Sequence, residues 1–283
     1  MTTITSRGRG RGRHHVNLPA GIAGWVWLAV IVLPLYWILI TSFKPQASYF
    51  TSNPLIPPTQ PTFDNYRLVI ENDFDRYFVN SVIVTVCAVI PAVLLSFMAA
   101  FAIVRGNSRF LRFSSRFLLL GLAIPLQATI IPLYLIIIRL HLYDTLLALI
   151  LPSIAFSIPL SVLVLANFLR DVTNELFESM RLDGTSEWGT VWRLAFPLTR
   201  PAIATVLIYQ GLVVWNGFLL PLVLTQSPNL RLLPLAIWSF QGQYSVNIPA
   251  VLAAVCLTTL PILVLYVIGR RQLVSGLSAG LGK

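Results

Sequence analysis

Six uninterrupted apolar runs divide the chain, at 22–43, 79–104, 117–138, 145–168, 201–225 and 248–269, and none contains Asp, Glu, Lys, Arg or His. Each holds at least 22 residues, and ~20 suffice for a helix to cross a ~30 Å hydrocarbon core. The pattern predicts an all-α integral membrane protein with six transmembrane helices. The first run exceeds the ~7–15 apolar residues of a cleavable signal sequence and follows a polar arm, so it is predicted to stay as a span. One polar interval, between runs four and five, is long and charged enough to form structure of its own.

Thr173 stands where a helix N-cap belongs, with Glu175 in the first turn and Val172 and Phe177 spaced as a hydrophobic staple. Leu176, Met180 and Gly184 then recur at i, i+4 and i+8, predicting a short amphipathic helix with those residues on its apolar face. Asp183-Gly184 predicts its end, since glycine accepts the left-handed turn that closes a helix. Thr185 or Ser186 is placed to cap a second helix, through Trp188, Val191, Trp192 and Leu194, that Pro197 is expected to interrupt. The result is a helix-turn-helix elbow. Its five acids against four arginines make it a poor ligand for anionic lipid and suit it to a groove on a partner protein.

Charge supplies the orientation, because Lys and Arg near span ends are retained on the cytoplasmic side. With the N-terminus inside, the inner segments hold 15 of the 20 basic residues, and the outer ones only Lys44, Arg67, Arg76, Arg139 and Arg231 against five acids. The whole net charge of +10 therefore falls inside, both termini are predicted to be cytoplasmic, and the elbow faces the cytoplasm. An excess so confined is explained by topology and anionic lipid headgroups, and nucleic acid is not expected as a partner. With 56% hydrophobic and 11% charged residues and a mean hydropathy of +0.78, the chain lies outside the range of soluble domains. Three regions follow: a basic arm at 1–21, whose Arg-Gly run at 7–13 predicts disorder, a spanning domain at 22–269, and a tail at 270–283.

Several chemistries are disfavoured. Cys87 and Cys256 fall within predicted spans, and His14, His15 and His141 have no metal-site spacing, so no metal is expected. Gly282-Lys283 is no phosphate loop, because Leu277 stands where its first glycine belongs and no Ser or Thr follows. The chain is predicted to bind no cofactor and to catalyse nothing itself. Proton- or sodium-coupled carriers usually place ionisable groups in the membrane, which these runs lack. The neutral groups Gln210, Trp215 and Asn216 are candidates for a solute path, with helix-to-helix bonding an equal alternative. A membrane enzyme would need nucleophiles, metal ligands or paired carboxylates at membrane depth or its edge, whereas the acids here lie in loops with no His partner. A six-span channel or scaffold would need no ATPase partner, and the elbow alone weighs against it.

The elbow resembles the cytoplasmic signature of permease subunits of ATP-binding-cassette importers, in Glu178, Gly184, Leu194, Phe196 and Pro197, with Asp183 before the glycine. Ser179 and Met180 replace the two alanines usual after the glutamate, and Thr185 an alanine after the glycine. The surrounding motifs resemble the maltose-type carbohydrate permeases: Pro34-Leu35-Tyr36-Trp37, Ser42-Phe43-Lys44-Pro45, Asn65-Tyr66, Asn80-Ser81, Pro125, Pro132-Leu133-Tyr134, Trp215-Asn216-Gly217-Phe218 and Pro221-Leu222. The tail at 276–280 is similar to the family's glycine-rich end, with Leu281-Gly282-Lys283 replacing its customary last residues. The resemblance implies a sugar or oligosaccharide importer of a bacterial or archaeal plasma membrane. It implies a second, homologous permease, two ATPase subunits that use the ATP, and an extracytoplasmic solute-binding protein as partners. It also implies that Glu178, Ser179, Met180, Asp183, Gly184, Leu194 and Pro197 couple to the ATPase. Importers of other solutes, such as a glycerol-phosphate-like compound or a peptide, share the elbow.

Overall fold

A computed structural model describes residues 18–237 and 246–281. Among them the fold is helical: α1 (Leu18–Ser42), α2 (Asp64–Glu71), α3 (Phe74–Arg105), α4 (Arg109–Gly121), α5 (Leu126–Arg139), α6 (Leu147–Arg170), α7 (Asn174–Leu182), α8 (Glu187–Trp215), α9 (Leu219–Leu224) and α10 (Ile248–Leu281). Four of these, α1, α3, α6 and α8, are long and apolar enough to cross a membrane, and α10 carries a shorter apolar stretch at Ile248–Val264. The Arg-Gly arm at 7–13 and the final Gly282-Lys283 lie outside the described residues. The tail assigned to 270–283 is helical as far as Leu281, as the end of α10.

Helices α3 and α6 form the most extensive contact, and α8 packs across both. Small residues make this possible: Ala88, Ala92, Ser96 and Ala100 of α3, and Ser157, Ser161 and Ala166 of α6, are buried and let the two backbones approach. The core continues through Val93, Phe97, Leu165, Leu169, Ala202 and Val206. Helix α1 contacts α10 and leaves its apolar surface open, with Trp25 73% and Trp27 66% exposed. In a membrane chain such a face meets lipid tails or a neighbouring subunit rather than water.

Three expectations about continuity are corrected. The apolar run 117–138 is not one helix: α4 and α5 meet at 106°. The last turn of α4 tightens into Ala123 N–H to Leu120 O and Ile124 N–H to Gly121 O bonds, and Pro125, extended at φ −70° and ψ 136°, begins a new direction. The run 201–225 is also broken. Helix α8 ends at Trp215, where the Leu212 carbonyl accepts both the N–H (3.1 Å) and the side-chain amide (2.8 Å) of Asn216 and the Gly217 N–H reaches back only as far as Val214 O. Pro197, in contrast, interrupts nothing. A π turn over Val191–Ala195, in which the Phe196 N–H reaches the Val191 carbonyl, shifts the bonding register just before the proline, and the helix runs on.

After α9 the chain turns back, and its non-helical backbone is satisfied from the spans, as apolar surroundings require. Asn80 donates to the carbonyls of Asn229 (2.8 Å) and Arg231 (3.1 Å), and Ser81 Oγ accepts from the Leu233 N–H at 2.9 Å. In the loop between α5 and α6, Asp144 Oδ1 accepts the N–H groups of Gln226 (2.8 Å) and Ser227 (2.9 Å), and its Oδ2 accepts the Ser227 hydroxyl. The Ser227 hydroxyl and the two N–H groups hold the Asp144 carboxyl below its ordinary range. A lowered folded-state pKa gives stability that is present above the unfolded value, about 3.9, and lost as pH falls beneath it. This clamp is therefore expected to be pH-independent from pH 5 to 8 and to fail only below about pH 4. Asp144→Asn should speed proteolysis of the 225–233 segment at neutral pH; an unchanged cleavage rate would show that the clamp does not hold it.

Candidate functional site

The interval after α6 folds as two helices about one turn. Thr173 occupies the N-cap of α7 in extended conformation, without a side-chain cap bond. Arg105 stands beside it instead, donating to Asn174 Oδ1 at 2.7 Å. At the other end the Gly184 N–H reaches Arg181 O and the Thr185 N–H reaches Met180 O, both at 3.0 Å, with Gly184 at φ 75°. These two bonds and the left-handed residue make a Schellman motif, the closure that glycine favours. Ser186 caps α8 by accepting from the Gly189 N–H at 3.1 Å. Arg181 and Glu187 face each other across the turn at 2.6 Å, an exposed pair of small energetic weight that fixes the angle more than the stability.

The face turned inward differs from the expected one. The pattern assigned Leu176, Met180 and Gly184 to the apolar contact, whereas Phe177 is the buried residue of α7, at 2% exposure. Its ring lies 6.3 Å from Phe101, and the Arg105 guanidinium covers it at 4.1 Å. The one-residue rotation arises because the bundle offers an aromatic socket on α3, and a ring fills it better than a leucine. Leu176 and Leu182 therefore remain exposed, as do Trp188 and Trp192 on α8. Glu178, Ser179 and Asp183 are exposed as well, Ser179 Oγ donating to Leu176 O at 2.9 Å, while Met180 is half-buried. Leu194 packs against the main core and Pro197 lies in the first turn after the π segment.

The second arm reaches the same helix by a ladder of rings. Trp188 meets Trp192 edge-on at 6.0 Å, Trp192 meets Phe196 at 5.3 Å, and Phe196 meets Phe97 at 5.7 Å. Phe97, Phe101 and Arg105 are spaced i, i+4, i+8, so one stripe of α3 receives both arms. Sequence reasoning missed this stripe. Its spacing was visible, but inside an apolar run nothing marks one face as the receiver.

The three candidates for a solute path fall in different surroundings. Gln210 is 3% exposed, and its amide donates to Ser157 O (3.0 Å) and Ser161 Oγ (3.1 Å) on α6. Trp215 is half-buried, donating to Thr258 O at 3.4 Å and standing edge-on to Phe78 at 5.9 Å. Asn216 is exposed at the break after α8. Beside that break lies a cavity of about 160 Å³, walled by Leu126, Phe156 and Phe218, with Ser153, Ser157 and Gly217 as its polar and small positions. Gln210 joins two helices behind it. Gln210→Leu should weaken the α6–α8 contact by about 1 kcal/mol, the net worth of such bonds in membranes, read as a lower unfolding midpoint. A loss of uptake at unchanged stability would instead place Gln210 in the solute path.

A bundle of apolar helices that exposes a helical elbow linked by packed rings to its core defines a class: a multi-pass membrane protein with a structured polar elbow. The chain belongs to the family of binding-protein-dependent transport system inner membrane components, whose family model matches residues 92–273. It is 39% identical to a putative ABC transporter permease protein, ORF2, of Caldicellulosiruptor sp. (strain Rt8B.4), over 90% of this chain and 93% of that one. It is 34% identical to the diacetylchitobiose uptake system permease protein DasC of Streptomyces coelicolor, over 88% of this chain and 91% of that one. The fold is that of a chain in the crystal structure of a bacterial ABC transporter involved in the import of the acidic polysaccharide alginate, with a TM-score of 0.81, 18% identity, and coverage of 94% of this chain and 99% of that one.

Proposed function

We propose that this chain is a permease subunit of an ATP-binding-cassette importer for a sugar or oligosaccharide in a bacterial or archaeal plasma membrane. In this reading it spans six times, counting α4 with α5 as one bent span and α10 as the last, with both termini and the elbow cytoplasmic. It works with a homologous second permease, two ATPase subunits that bind and hydrolyse the ATP, and an extracytoplasmic solute-binding protein. The carbohydrate assignment is supported by relatives such as the diacetylchitobiose permease and by charge-free apolar runs, which suit a neutral solute.

One observation carries the coupling assignment: α7 and the start of α8 bury their inner faces against one stripe of α3 while presenting Leu176, Leu182 and Trp188 outward. An exposed apolar ridge on a clamped helix pair suits a groove in a partner. ATP-driven closure of the ATPase pair would carry the ridge with it, and the ring ladder would pass the displacement to α3 and α8. The cavity between the two permeases then reorients as packed bodies, the differential contacts with the ATPase setting which state is favoured. Glu178 sits in the groove, Gly184 permits the turn, and Pro197 follows the register shift into the membrane helix.

The test is a cysteine at Glu178, crosslinked in native membranes and purified under mild detergent. Recovery of an ATPase crosslinked at that position, together with a second permease, is the expected result. A chain recovered alone, with no crosslinked partner, would favour a channel or scaffold and reduce the elbow to a surface hairpin.

A further inference from the structure

Lys44 is fully buried, at 1% exposure, just past the end of α1. Its surroundings hold it firmly. Asn65 donates to the carbonyls of Ser42 (2.8 Å) and Lys44 (2.9 Å), the Thr62 N–H reaches Phe43 O at 2.9 Å, and Ser42 Oγ bonds the Tyr66 hydroxyl at 2.7 Å. The ammonium itself donates to Asn53 O at 2.7 Å and more weakly to Ser52 Oγ at 3.4 Å. Both acceptors are neutral. All ten acidic residues of the chain lie among the described residues, and the ion pairs there join Arg67 to Glu71, Arg76 to Asp73 and Arg181 to Glu187. None reaches Lys44. A cation buried against neutral groups keeps most of its desolvation cost unless a counter-ion arrives.

Lys44 also borders a cavity of about 340 Å³ whose wall includes Ser48, Ser52, Asn53, Thr59 and Gln60. No acidic residue lines it, and prolines at 45, 57 and 58 stiffen its sides. Ser48 and Ser52 already donate to the carbonyls of Pro45 and Tyr49, which leaves the exposed side chains of Asn53, Thr59 and Gln60 as the remaining donors of the wall. We propose that this cavity binds a carboxylate group, which supplies the counter-ion that the chain lacks. Lys44 makes the charge-assisted bond, and the neutral donors of the wall take the remaining oxygen lone pairs. A cation or a fully apolar ligand would leave the ammonium as uncompensated as before. The carboxylate comes either from a free acid, such as an acidic sugar, or from an Asp or Glu side chain of a docked subunit.

Two arms separate these sources, both on the full chain with the subunits that co-purify with it. In the first, sodium acetate or sodium glucuronate replaces sodium chloride at constant ionic strength while thermal unfolding is followed. A saturable rise of roughly 2 °C or more, absent in Lys44→Gln and retained in part by Lys44→Arg, would establish a free-acid site. In the second, a carbodiimide joins contacting amine and carboxylate as a zero-length amide, and the crosslinked peptides are sequenced. A Lys44 crosslink to an acidic residue of another subunit would establish a protein carboxylate. If neither the saturable rise nor a Lys44 crosslink is found, the proposal is overturned, whatever the stability of Lys44→Gln. Both readouts concern binding to the folded chain and leave the transport reading untouched in either outcome.

Discussion

Replacing Gly184 with proline is expected to abolish uptake while the chain still inserts in the membrane. Proline imposes φ near −65° where the backbone stands at 75°, and it removes the N–H that donates to Arg181 O. The Schellman closure is lost, at a cost of about 3 kcal/mol, and α7 leaves its angle to α8. Gly184→Ala is the informative contrast. A Cβ at Gly184 meets nothing within 4 Å, so only the left-handed conformation opposes it, at about 1–2 kcal/mol. Alanine should therefore keep measurable uptake where proline keeps none. Uptake and ATPase activity measured together check this: with proline, solute-stimulated hydrolysis should fall along with uptake. Normal uptake in Gly184→Pro would remove the elbow from the transport cycle. Equal losses with alanine and proline would mean that the space beside Gly184 is filled by a partner subunit.

Phe177→Ala is expected to be the most damaging single truncation in the elbow. The ring is buried against Phe101 and under Arg105, and emptying such a site costs about 3–5 kcal/mol. Leu182, the most exposed apolar residue of the same helix at 89%, offers the opposite case. Its truncation removes almost nothing within the chain and should act on the proposed ATPase contact alone. The pair is distinguished by two measurements: Phe177→Ala should lower the unfolding midpoint of the isolated chain, whereas Leu182→Ala should leave it unchanged and weaken capture of the ATPase. If Phe177→Ala leaves the midpoint unaltered, α7 is not held by that socket.

Residue order alone was enough for the helical class, the apolar runs, the elbow and the glycine at its turn. Those features depend on hydrophobic period, chain chirality and N–H availability, which act over a few neighbouring residues. Ser186 as a cap and Gly184 as a left-handed closure are local in this sense, and the structure has both. Pro197 and Pro125 show the limit of local rules. Each removes one donor, yet the first sits in a continuous helix behind a π turn and the second marks a bend of 106°. The difference lies in what each segment packs against, since buried backbone groups must find partners wherever the fold puts them.

Tertiary structure decided which face of α7 turns inward, because Phe177 finds a socket made of Phe101 and Arg105, 76 and 72 positions earlier in the chain. It decided that both arms of the elbow land on one stripe of α3, and that Gln210 spends its amide on α6. It also decided that Lys44, which reads as an ordinary flanking cation, is buried without a counter-ion. None of these is written in a periodicity. They follow from which side chains distant segments bring together, and close packing has few solutions, so the choice is made by the whole bundle at once.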